Sequence, residues 1–131
     1  MKAEQYFTSL MNTKGLRYEF IDDWYDFLVE KQHKVEVNSC QISVKSRGED
    51  GGYQIGRFDF TDEENQNKQL KENVWIALIV RHREQFLFYG FVRAKQIQNA
   101  RYFSIHQARD LKPIDLDEWV KKINRLSSCS Q

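Results

Sequence analysis

Asp26 and Glu36 are the two acids of this chain whose surroundings suit metal chemistry. Both fall in Tyr25 to Gln41, a stretch that reads as two short strands and a turn. Phe27, Leu28 and Val29 form an apolar run, Lys31 to Lys34 a polar break, and Val35 and Val37 then alternate with Glu36 and Asn38. Alternation at period two sets the valines on one face and Glu36 and Asn38 on the other. A tight connection brings Asp26, at the start of the first strand, and Glu36, inside the second, to the same end of a small sheet. Two carboxylates with open positions for water and phosphate make a divalent-cation site. A competing pattern exists. Phe20, Ile21, Trp24, Phe27 and Leu28 also recur at helical spacing, and in a helix Asp26 is a solvated surface acid.

Asp26, a gap of nine residues, and Glu36-Val37-Asn38 resemble the signature of the PD-(D/E)XK nuclease superfamily, in its small resolvase-like and homing- or restriction-endonuclease-like forms. The resemblance covers roughly residues 3–95. It implies an α/β fold with a single-domain PD-(D/E)XK-like core, a central mixed sheet flanked by helices. It also implies Mg²⁺, with Mn²⁺ as substitute, held by Asp26, Glu36 and the Val37 carbonyl. Glu4, on the first helix, matches an additional acid of many members; its other explanation is a helix-start carboxylate favoured by the dipole. Asn38 stands where the family carries lysine. Asparagine can hydrogen-bond a water but brings no positive charge, a loss on the order of 3 kcal/mol or about a hundredfold in rate. Lys45 and Arg47, just past the motif, can take over part of that task or form an exposed basic loop. The implied function is a metal-dependent endodeoxyribonuclease, impaired at Asn38, acting on double-stranded or branched DNA, with a homodimer expected because two cuts need two sites. The alternatives are an inactive nuclease-fold module that binds nucleic acid or a protein partner, and a small α/β protein in which Asp26 and Glu36 are surface charges.

The elements that position these residues follow from pattern. Ala3 to Asn12 reads as a helix through Tyr6, Phe7, Leu10 and Met11, stopped by Gly15, and Leu16 to Phe20 as a strand. Ile42 to Arg47 leads into the glycine turn 48–52, which lacks the spacing of a phosphate-binding loop. Tyr53 to Phe60 reads as one strand with a bulge at Gly56. Thr61 with Glu64 fits a capping box for a polar, lightly packed helix to Glu72. Val74 to Val80, apolar throughout, reads as a strand buried on both faces. It turns at Arg81 to Gln85 into Phe86 to Val92, where Gly90 allows a close approach. Asp115 with Glu118 starts a last helix whose apolar face is Leu116, Trp119, Val120 and Ile123.

The 131 residues suffice for one domain with its own core, comprising the nuclease-like part, a basic segment and helix over 96–126, and a frayed tail from 127. Two cysteines without metal or redox spacing, and no signal segment, point to a reducing cytoplasm. The longest apolar run is too short to span a membrane. His33, His82 and His106 lack partners at metal-ligand spacing. Residues 1–77 carry a net charge of −4 and residues 78–131 one of +5. Arg47, Arg81, Arg83, Arg93, Lys95 and Arg101 form a candidate DNA-facing strip. The stretch around Arg93 to Lys112 also fits a solvated connection.

Overall fold

The computed structural model describes residues 2–45, 53–98 and 100–129. Helix α1 (Ala3–Thr13) leads into strands β1 (Tyr18–Phe20), β2 (Phe27–Val29) and β3 (His33–Gln41). The Phe20–Leu28 stretch is thus extended at both ends and not helical. Between β2 and β3, Gln32 N–H closes a turn on the Val29 carbonyl at 3.1 Å, with Glu30 and Lys31 both at positive φ. Paired positive φ values match the twist of a hairpin, here without the usual Asn-Gly.

Strands β4 (Ser43–Lys45) and β5 (Tyr53–Ile55) form a separate pair. Strand β6 (Arg57–Asp59) follows and pairs instead with β9 (Tyr102–Ser104). The single bulged strand expected over Tyr53 to Phe60 is therefore two strands in two sheets, divided at Gly56. The reason is steric: a Cβ there would penetrate the Gln41 carbonyl, so the backbone crosses where no side chain fits. Helix α2 (Glu63–Glu72) starts one residue later than expected. Asp62, not Thr61, is its cap, accepting the Asn65 N–H at 3.0 Å.

Strands β7 (Trp75–His82) and β8 (Gln85–Arg93) complete a five-stranded mixed sheet of order β1-β2-β3-β7-β8, in which only β3 and β7 are parallel. At Gly90 the register slips, and a Cβ there would collide with the Pro113 side chain, so glycine does allow the close approach its position suggested. The following stretch is not a plain connection. It folds as α3 (Ala94–Ile97), β9 and α4 (Ile105–Asp110), the last capped by Ser104 with Gln107. Helix α5 (Leu116–Cys129) begins at the expected cap, with Asp115 accepting the Glu118 N–H at 2.8 Å.

Two cores lie on the two faces of the sheet. Phe7 and Met11 of α1 and Trp119 and Ile123 of α5 pack with Val35, Trp75, Ala77 and Ile79. Ile76, Leu78 and Val80 point the other way, onto Phe58, Phe103, Ile97 and Ala108. Burial of β7 on both faces is thus borne out. Trp119 is fully buried, stacked on Phe91 at 4.0 Å and edge-on to Trp75 at 6.3 Å. Trp119→Ala is expected to cost about 3–5 kcal/mol, read as a lower urea midpoint with unchanged slope. Among the described residues, no helix is long and apolar enough to cross a membrane.

Candidate metal centre

Strand β2 runs beside β3 for only three pairs, Phe27–Val35 to Val29–His33. Where β2 ends, Asp26 takes over. Its backbone N–H donates to the Val35 carbonyl at 3.1 Å, and its carboxylate accepts the Val37 N–H at 2.8 Å. One side chain thereby replaces the next rung of the ladder. In a strand, the N–H and C=O of one residue point to the same edge. The Val37 carbonyl therefore opens onto the same gap as the Asp26 carboxylate.

Glu36 and Asn38 project from β3 on the face opposite Val35 and Val37, as the alternation implies. Glu36 is largely buried and hydrogen-bonded to Asp26. Burial first, then that bond, then the charges of Asp26 and Glu4 push its pKa up to about 10. Gln69 opposes the rise. Its Nε2 donates to Glu36 and, at 2.7 Å, to the Trp24 carbonyl.

Gln69 is the site residue that sequence reasoning missed. It is 4% exposed, on a helix otherwise polar and expected to pack lightly. The available signal was weak: Gln69 precedes Leu70 at the end of α2, the part of that helix nearest the core.

Asn38 donates through Nδ2 to the Asp59 carbonyl at 2.9 Å, tying β6 to the strand that bears Glu36. Asp59 itself is paired with Arg57 at 3.1 Å. Glu36, Asn38, Asp59, Asn65 and Gln69 line a polar cleft of about 200 Å³. Cys40, farther along the same face, has its thiol pushed up to about 11 by burial and by the Asp59 charge. At neutral pH it is therefore a thiol and no nucleophile.

The other candidates are scattered. Glu4 bears on Glu36 as a charge. Lys45 closes β4, and Arg47, with the glycine turn, lies outside the described residues. Arg81 and Arg83 sit at the β7–β8 turn, Arg81 donating to the Arg83 carbonyl at 2.7 Å. Arg93 is half-buried, its guanidinium 3.6 Å from the Trp75 ring centre and bonded to the Asn73 carbonyl at 3.0 Å. Lys95 lies in α3. Of the five described basic residues of this strip, Arg101 is the one lining a cleft next to the carboxylates.

Among the described residues, no three His, Cys, Asp or Glu side chains group closely enough to hold a metal ion. What the fold assembles is a pair of carboxylates and a main-chain carbonyl. No family model, curated protein or solved structure matches the chain.

Proposed function

We propose that this chain is a metal-dependent endodeoxyribonuclease built on a PD-(D/E)XK-like core. The observation that carries the reading is the Asp26–Glu36 pair, two neighbouring acids of one hairpin, with the Asp26 carboxylate held on the Val37 N–H next to Glu36. Element order supports it in part: helix, three antiparallel strands with Asp26 just before the second and Glu36 on the third, then three short strands of two separate ribbons, a helix, and a strand parallel to the third.

The donor set fits Mg²⁺. Asp26 and Glu36 offer hard carboxylate oxygens beside the Val37 carbonyl, and a cation would offset part of what raises the Glu36 pKa, burial first and then the neighbouring acids. Mg²⁺ bound there would supply an acidified water and neutralise charge on a phosphate. The chain's own residues hold the geometry. The Val37 N–H orients Asp26, and Gln69, fixed by the Trp24 carbonyl, orients Glu36. Cutting both strands of a duplex takes two such sites, so a homodimer on DNA belongs to this reading.

A second reading has its own support, that of a nuclease-fold module without activity that binds nucleic acid or a protein partner. Asn38 brings no charge and its amide is engaged by Asp59. The deciding assay is cleavage of supercoiled plasmid and branched DNA with Mg²⁺ or Mn²⁺ by the chain itself, Asp26→Asn and Asn38→Lys. Asp26→Asn keeps an oxygen for the Val37 N–H and so preserves the fold. Metal-dependent cleavage that falls at least about a hundredfold in Asp26→Asn and rises in Asn38→Lys is expected. Inertness of all three toward DNA, with metal still bound, favours the inactive module.

A further inference from the structure

The β6–β9 ribbon has two unlike faces. Phe58 and Phe103 point into the core, their rings 5.4 Å apart. The outer face carries Arg57, Asp59 and Tyr102, with Asp59 and Tyr102 directly opposite in register. Tyr102 is 56% exposed, one of the few large apolar side chains left open among the described residues. Arg57 lies over its ring at 4.4 Å and is itself held by Asp59. The phenol thus has one side braced by a fixed guanidinium, and two flat groups form one platform.

Tyr102 and Arg101 line a second cleft, of about 610 Å³, with Glu63 and Asn67. Asp59, Phe60, Thr61 and Gln66 border both this cleft and the carboxylate cleft, so the two adjoin. Gln66 is fixed, donating to the Ala100 carbonyl at 2.8 Å, which holds α2 against the segment before β9. The volume suits a nucleotide. Its wall is of mixed charge, with Glu63 and Asp59 against Arg101. Such a cleft gains little from backbone charge and much from stacking, which only an unpaired base can offer.

We infer that this cleft takes an unpaired base of a DNA strand whose phosphate backbone leads to Asp26 and Glu36, making single-stranded or locally unpaired DNA the substrate class. The inference rests on the nuclease reading for its orientation, whereas its test does not depend on cleavage. Fluorescence anisotropy in EDTA and in Ca²⁺ compares a labelled oligothymidylate with a blunt duplex. The chain is expected to bind the single strand more tightly. Tyr102→Ala is expected to weaken that binding about tenfold, the loss of one base stack, and to leave duplex binding unchanged. Tyr102→Trp is expected to retain it. Tyr102→Leu, with bulk for β9, substitutes if the alanine variant does not fold. Equal affinity for strand and duplex, an unchanged Tyr102→Ala variant, or thymidine monophosphate competing as well as the oligomer each overturns the inference. Cleavage that persists alongside such a result leaves the nuclease standing without this subsite. Binding that depends on Tyr102 in a chain that never cleaves DNA leaves the subsite standing without the nuclease.

Discussion

Glu36→Gln is expected to stabilise the metal-free protein at about pH 8 by on the order of 3 kcal/mol, raising Tm by roughly 10 °C in EDTA. Burial, the Asp26 hydrogen bond and the charges of Asp26 and Glu4 hold the Glu36 pKa near about 10, against 4.5 for an ordinary glutamate. A raised pKa means that folding takes up a proton between those two values. The stability Glu36 confers is complete below its unfolded pKa and is lost as pH rises toward its folded one. Glutamine keeps the arrangement without the proton: its amide donates to Asp26, and its oxygen accepts from Gln69. The wild-type Tm in EDTA should therefore decline from about pH 5 to about pH 9, and that of Glu36→Gln should decline less. Mg²⁺ should restore stability to the wild type and do less for the variant. A Tm that stays level over that range, or a variant less stable at alkaline pH, means that Glu36 is ionised in the folded chain.

Gly56→Ala is expected to be the most damaging single-methyl change in the chain. The added Cβ would enter the Gln41 carbonyl, a backbone group with no rotamer to yield. Gly56 is fixed from both sides, its N–H donating to the Ile42 carbonyl at 3.0 Å and its carbonyl accepting from Ile105 at 3.1 Å. Overpacking of a well-ordered interior costs about 1–3 kcal/mol, more where the backbone must move. Relief requires β3 or the β6–β9 ribbon to shift, and Asn38 ties these together. A urea midpoint near that of the wild type would mean that the crossing at Gly56 is loose. A fall of more than about 3 kcal/mol, with the Tyr102 cleft lost in parallel, is the expected result.

The hairpin that brings Asp26 and Glu36 together was legible because both periodicity and burial act locally there. Val35 and Val37 alternate with Glu36 and Asn38, and the four side chains divide between the faces accordingly. β7 was legible for a similar reason, since seven consecutive apolar residues have no polar face to offer. Helix α1 carried an apolar stripe and a glycine stop, and α5 a cap and an apolar stripe, each fitting one reading. What stayed hidden depends on contacts distant in sequence. Gln69 in isolation is one amide in a polar helix; only the Trp24 carbonyl and Glu36 give it a reason to be buried. Gly56 looked like a bulge because the strand it interrupts has the right composition on both sides, and only the Gln41 backbone divides it. Strand β9 is three residues long, and its partner β6 lies more than forty residues earlier. The packing of Arg93 over Trp75 was likewise hidden, because it depends on the register of β7 with β8.

The early end of β2 has a consequence for how the protein avoids self-association. From Glu36 to Gln41, β3 is paired on one side only, so an edge of hydrogen-bonding groups lies within the molecule rather than at its rim. Such an edge invites an incoming strand. Here a carboxylate caps the first vacant position, at Val37, while the side chain of Asn38 ties the β6–β9 ribbon across the face of the strand. The acid that would receive a metal therefore also closes the sheet, at Val37, to an intruding strand.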